Sequence, residues 1–159
     1  MSNGSPKYWA IVPAAGTGKR FSADIPKQFH QLNGSLVAQH TLSRLLSIRV
    51  LEAIISPCDI SSGYWSKVPA ASHPRVSLVT GGQQRAHSVL NGLLAIQPMA
   101  KADDWVLVHD MARPCILPTS IGKLIAEVAD HSVGGILATP INDTLKIVTP
   151  QRNIVSTVN

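Results

Sequence analysis

Short unbroken apolar runs alternate along this chain with segments whose apolar residues recur every three to four positions, and few folds accommodate that alternation. Tyr8–Ala14, Val50–Ser56, Arg75–Thr80, Trp105–His109 and Gly135–Thr139 read as strands, with Pro57 closing the second. Leu36–Ser47 reads as a helix with Val37, Thr41, Leu42, Leu45 and Leu46 on one face. Arg85–Gln97 is a second, with Ala86, Val89, Leu90, Leu93 and Leu94 at helical spacing, and Pro118–Asp130 a third, with Ile121, Leu124, Ile125 and Val128 inward. Strands made of continuous Val/Ile/Leu runs are covered on both sides, so the pattern predicts an α/β fold: a mostly parallel sheet with helices on both faces. Ligands then gather at the carboxyl ends of the strands. Beyond the last of these, Asp143–Val148 and Asn153–Val158 flank Thr149-Pro150-Gln151-Arg152 as the arms of a hairpin, whose apolar residues need a surface to pack on.

The size and balance of the chain exclude several classes. Its 159 residues predict one domain over 1–159, and 45% hydrophobic against 14% charged residues exclude wholesale disorder. No apolar run approaches the ~20 residues of a membrane span, and the polar start is not followed by a signal-peptide core, which predicts a soluble, cytoplasmic protein without a membrane partner. Cys58 and Cys115 form no CxxC pair and read as reduced thiols. The six histidines show no ligand spacing. A net charge of +5 favours an anionic partner, yet no basic stripe or aromatic-rich strand points to nucleic acid.

Four loops at strand ends carry the chemistry. The first, Pro13-Ala14-Ala15-Gly16-Thr17-Gly18-Lys19-Arg20, lets backbone N–H groups approach phosphate oxygens, with Lys19 and Arg20 beside them. It matches neither the P-loop nor the G-x-G-x-x-G spacing, and a plain strand-to-helix turn is its alternative. Pro26-Lys27-Gln28 follows, with Pro26 stiffening the loop that presents Lys27. Arg20 and Lys27 would stabilise charge developing on a transferred phosphate, or else stand as solvated surface cations. In Gly81-Gly82-Gln83-Gln84-Arg85-Ala86-His87-Ser88, glycines admit a flat ring and Ser88 can bond a base edge or ribose, unless the pair is only a turn. In Val108-His109-Asp110-Met111-Ala112-Arg113-Pro114, the Asp110 carboxylate can hold a magnesium ion on a triphosphate, or cap the loop and pair with Arg113.

In register, these motifs and a fifth, Pro140-x-x-Asp143-Thr144-x-Lys146, resemble the 2-C-methyl-D-erythritol 4-phosphate cytidylyltransferases of the non-mevalonate isoprenoid pathway over Tyr8–Asn159. The resemblance implies a Rossmann-like nucleotidyltransferase fold and a magnesium-dependent reaction, in which the acceptor phosphate attacks the α-phosphorus of CTP and expels pyrophosphate. It assigns Arg20 and Lys27 to the pentacoordinate transition state. Pro13, Ala14, Ala15, Gly16, Thr17 and Gly18 would line the nucleotide, and Gly82, Gln83, Arg85 and Ser88 would complete CTP binding and select cytosine. Asp110, Met111, Arg113 and Thr144 would face the polyol phosphate acceptor, Asp110 also reaching the metal. It further implies a homodimer in which the hairpin arm, residues 141–158, crosses to a neighbour.

Two departures from the family pattern stand out. Met111 occupies a position where the family usually has Ala, beside the ligand. The family also runs roughly 70 residues further, a length of several further elements, so the chain reads as lacking its C-terminal part. Asn159 stands where the family has Asp followed by Arg. A ribitol-5-phosphate cytidylyltransferase shares the CTP motifs and is the nearest rival; a CTP-binding module without turnover is the rival from another class.

Overall fold

The computed structural model describes residues 5–16 and 25–158. Its elements are β1 (Tyr8–Ile11), β2 (Gln31–Leu32), β3 (Ser35–Leu36), α1 (Val37–Leu46), β4 (Leu51–Cys58), β5 (Val76–Thr80), α2 (Arg85–Ile96), β6 (Trp105–Val108), α3 (Pro118–Val128), β7 (Lys146–Val148) and β8 (Ile154–Thr157). Short 3-10 turns cover Lys27–Phe29, Gly63–Lys67 and Pro69–Ser72. The chain divides into two compact units, one through Lys123 and one from Leu124. No helix among the described residues is long and apolar enough to cross a membrane.

In the first unit, β5, β4, β1 and β6 lie side by side in that order, all parallel. The alternating alignment of side chains across a strand divides the core. Trp9, Ile55 and Ile96 cluster with Ala53, Val79, Ala95 and Val106 on the α2 side. Ala10 and Ile54 take the other face, while α1 buries Ala38, Thr41, Leu42 and Leu45 completely. Burying Ile54, Leu42 and Leu45 contributes about 1.5–3 kcal/mol each against an exposed state. Proline does not close β4. Pro57 lacks only a donor, and its carbonyl still accepts from Ala14 N at 2.8 Å, so the strand continues to Cys58.

The orientation of α2 differs from the one its apolar spacing predicts. Its buried residues are Ser88, Gly92 and Ile96, whereas Ala86 is exposed and Leu90, Leu93 and Leu94 are 40–55% exposed. The cause is Gly92, where an added Cβ would lie 2.7 Å from Ile11 Cγ2. The backbone of α2 therefore approaches β1 at Gly92, with Ser88 and Ile96 on the same buried face, and the leucines lie away from it.

The sheet is fastened at the amino end of β1 by Asp104. Its Oδ1 accepts from Lys7 N at 2.9 Å, and its Oδ2 accepts from Trp9 Nε1 at 2.9 Å and Lys101 N at 3.0 Å. The Lys101 backbone donor first, then Lys7 N and the Trp9 indole, hold this carboxyl below the usual carboxylate range.

In the second unit, β7 and β8 pair antiparallel, with Lys146 opposite Thr157 and Ile147 opposite Ser156. Arg152 takes φ 66° in the turn between them. The hairpin is shorter than its apolar arms, and Ile147, Val148, Ile154 and Val155 are all exposed. Gly135–Thr139 is not a strand. It pairs with no ladder among the described residues, and Ile136 is 84% exposed, so its apolar run lacks the neighbour a strand requires.

Candidate active site

Four parallel strands deliver the loops after β1, β5 and β6 to one end of the sheet, where they close around a cleft of about 600 Å³. The loop after β1 continues the sheet pairing, Val12 N bonding Ile55 O and Ala14 N bonding Pro57 O at 2.8 Å each. Pro13, Ala15 and Gly16 then line the cleft. Ala14 faces inward at 6% exposure and is not among the lining residues.

The loop after β5 meets the first loop through Gly81. Gly81 N bonds Cys58 O at 2.8 Å, and a Cβ on Gly81 would overlap the Ala15 Cβ. Next to it, Ser88 is buried, and its Oγ accepts from Gly82 N at 3.0 Å. Gly82 has no room for a side chain, since a Cβ there would overlap His87 Cβ and come within 2.9 Å of His87 C. Gly82, Gln83, Gln84, Arg85 and Ser88 all line the cleft.

After β6, His109 N bonds Ile11 O and Met111 N bonds Pro13 O, so this loop is tied to the first as well. Met111 is 1% exposed, and its carbonyl accepts from Thr41 Oγ1 at 2.7 Å, which locks the residue between α1 and the cleft wall. Asp110 carries the main polar contacts. Arg85 donates to its Oδ1 from Nη2 at 2.9 Å and Nε at 3.0 Å, and Arg113 Nε donates to Oδ2 at 3.0 Å.

Lys27 reaches the cleft from its own 3-10 turn, with Phe29 N bonded to Pro26 O at 2.8 Å. Phe29 anchors that turn by stacking on Tyr64 at 4.8 Å and meeting Trp65 edge-on at 5.0 Å. Three cationic side chains, Lys27, Arg85 and Arg113, thus face one carboxylate, Asp110, among the described lining residues. The surplus of positive charge at backbone donors in a concave site suits a polyphosphate.

Eleven of the residues singled out from sequence share this cleft. Thr17, Gly18 and Arg20 lie outside the described residues. Thr144 belongs to the second unit, on the exposed stretch before β7. Gln84 and Ala112 are lining residues whose motifs contain them but whose roles the sequence did not supply, and so is Gln28. Only the burial of Gln28, at 5% exposure, distinguishes it, and burial of a polar group is not read from a three-residue motif.

Among the described residues no three His, Cys, Asp or Glu side chains converge as a metal centre. Cys58 is a bystander behind the cleft. Burial first, and then the Asp59 charge, pushes its thiol up to about 12, far from nucleophilic use.

The model of the family described as 2-C-methyl-D-erythritol 4-phosphate cytidylyltransferase matches residues 8–159. The chain is 42% identical to a protein of that name from Pseudomonas fluorescens (strain SBW25), covering 100% of this chain and 68% of that one. A protein of the same name from Vibrio vulnificus (strain YJ016) is 43% identical, with 100% and 67% covered. A crystal structure of 4-diphosphocytidyl-2C-methyl-D-erythritol synthase superposes with TM-score 0.81 at 30% identity, covering 97% of this chain and 68% of that one. The corresponding cytidylyltransferase structure from Francisella tularensis gives 0.78 at 35% identity, with 96% and 66% covered. The chain therefore spans about two thirds of the length of these relatives. With the match running from β1 through the hairpin and the loops of the cleft inside it, the chain belongs to the 2-C-methyl-D-erythritol 4-phosphate cytidylyltransferase family.

Proposed function

We propose that the cleft binds CTP and that the protein transfers its cytidylyl group to 2-C-methyl-D-erythritol 4-phosphate, releasing pyrophosphate. The observation that carries this reading is the meeting of Lys27, Arg85 and a small-residue backbone loop with the Gly82–Ser88 pocket in one cleft. The triphosphate lies along the loop of Pro13, Ala15 and Gly16, behind which Ala14 packs inward, and cytosine lies against Gly82 and Gln83. Ser88 Oγ accepts from Gly82 N and lies 3.4 Å from Gly82 O as a donor, which fixes the turn so that another backbone carbonyl of this loop accepts from the exocyclic amino group of cytosine. A pyrimidine with a carbonyl at that position meets an acceptor instead of a donor, which is the basis of base choice.

An oxygen of the acceptor phosphate attacks the α-phosphorus, and the bond from that phosphorus to the bridging oxygen of pyrophosphate breaks. Charge accumulates on the equatorial oxygens, where Lys27 stabilises it together with Arg20, the partner the family resemblance assigns. Arg113 and Asp110 orient the acceptor. No proton has to leave the attacking phosphate oxygen, so positioning and charge carry the reaction.

Asp110 fits magnesium only in the form that reaches the site on a triphosphate. A single carboxylate with both oxygens engaged by guanidinium groups is too small a donor set for the ion alone, whereas magnesium is typically held by one or two carboxylates plus substrate phosphates. When bound, the ion would neutralise phosphate charge, and Asp110 would hold it through its remaining lone pairs or a water. The hairpin supports a homodimer, with the exposed Ile147, Val148, Ile154 and Val155 supplying apolar area for a second copy.

The test is incubation of the protein with magnesium, CTP and 2-C-methyl-D-erythritol 4-phosphate, followed by phosphorus NMR. Pyrophosphate and a new diphosphate diester are expected together, and both should form about a hundredfold or more slowly in Lys27→Ala. Absence of CTP binding by the unaltered chain would contradict the reading.

A further inference from the structure

Gln28 is a buried polar residue whose side chain is spent on backbone carbonyls. Its Nε2 donates to Ala14 O at 2.8 Å and lies 3.5 Å from Gly16 O. Both carbonyls belong to the loop that would carry the triphosphate, and Gln28 directly follows Lys27 in the turn that Phe29 anchors on Tyr64 and Trp65. One amide therefore joins the backbone of the phosphate loop to the segment bearing the cation.

A carbonyl oxygen facing a phosphate repels it, while an N–H attracts it. In a trans peptide the two point in opposite directions, so fixing Ala14 O on Gln28 also fixes the Ala15 N–H on the other edge of the same plane. We propose that Gln28 is a positioning residue for cytidylyl transfer: it holds the 13–16 loop with its donors presented to the triphosphate and keeps Lys27 in register with them. The inference rests on the reading of the cleft as a CTP site. A glutamine of merely structural value would support base and phosphate binding alike, whereas a positioning residue bonded to Ala14 O and Gly16 O is expected to act chiefly on the phosphate end.

The test compares binding of CTP with magnesium and binding of cytidine, which has no phosphate, in the unaltered chain, Gln28→Met and Gln28→Glu, with circular dichroism as the control for folding. Gln28→Met keeps the length and removes the donor. It is expected to weaken CTP about tenfold or more and leave cytidine within about twofold. Gln28→Glu places a carboxylate against Ala14 O and loses CTP near pH 8, but regains it toward pH 5, where the buried carboxyl is protonated and can donate, relative to the unaltered chain over about the same range. Unchanged CTP affinity in Gln28→Met, or equal losses of CTP and cytidine, would overturn the proposal while leaving the CTP site standing. Should Gln28→Glu fail to fold, Gln28→Met alone decides. Failure of the unaltered chain to bind CTP would overturn the reading of the cleft, and the role of Gln28 with it.

Discussion

Gly81 packs its bare Cα against Ala15, so that a methyl group on it would overlap the Ala15 Cβ and come within 3.2 Å of Cys58 N. The loops after β1 and β5 touch at this point because one of them has no side chain there. Gly81→Ala must push the two loops apart, at a cost of about 1–3 kcal/mol for overpacking. Urea unfolding is expected to show that loss, and the rise in melting temperature with CTP should shrink with it.

Lys27→Ala separates chemistry from folding. The side chain lies at the cleft surface on a turn that Phe29 holds independently. The melting temperature should stay within a degree or two, while turnover falls about a hundredfold to a thousandfold, the scale for removing one charge-stabilising donor. Steady-state pyrophosphate release measures it.

Asp110→Asn removes the only described carboxylate lining the cleft and releases two guanidinium groups. These pairs are half-exposed, so stability should change by no more than about 1 kcal/mol. Inorganic pyrophosphate should bind more tightly, because Arg85 and Arg113 are no longer neutralised, and turnover should fall. Calorimetric titration at two salt concentrations checks the first, with the gain shrinking at high salt.

The two cysteines should separate cleanly under alkylation. Cys58 is buried with its thiol pushed up to about 12, and Cys115 is exposed. At about pH 8 the native protein is expected to take one label, on Cys115, and a second only after unfolding. Mass spectrometry of the labelled peptides reads the result.

Asp104 predicts an acid-side loss of stability. Its folded carboxyl is held below the unfolded value by the Lys101, Lys7 and Trp9 donors, so the unfolded chain takes up the proton first as pH falls. The contribution is complete above the ordinary carboxylate value of about 3.9 and is lost as pH falls through the lower folded value. Asp104→Ala should therefore lower stability at neutral pH and flatten the decline below about pH 4.

The four parallel strands and the helices α1 and α2 were legible because strand and helix periods differ and each apolar run was long enough to declare its type, whereas the two-residue strands β2 and β3 were not. What sequence did not reveal was decided by contacts. Leu90, Leu93 and Leu94 form a strong apolar stripe, yet Gly92 sets the orientation of α2 through its approach to Ile11. Gly135–Thr139 has strand composition but no ladder among the described residues. The cleft was legible as motifs at strand ends, since parallel strands bring distant loops together. The pairing of Arg85 with Asp110 across 25 positions and the burial of Gln28 were not, because both depend on packing that no local pattern encodes.

Titration of the protein with CTP, UTP, ATP and GTP in magnesium, read by thermal melting, tests the nucleotide site, because a ligand that binds only the folded chain raises its melting temperature. A rise with CTP is expected that exceeds those of the other three and falls in Lys27→Ala. Equal rises with all four nucleotides would contradict the assignment of the Gly82–Ser88 pocket to cytosine, and no rise with any of them would contradict the assignment of the cleft to a nucleotide.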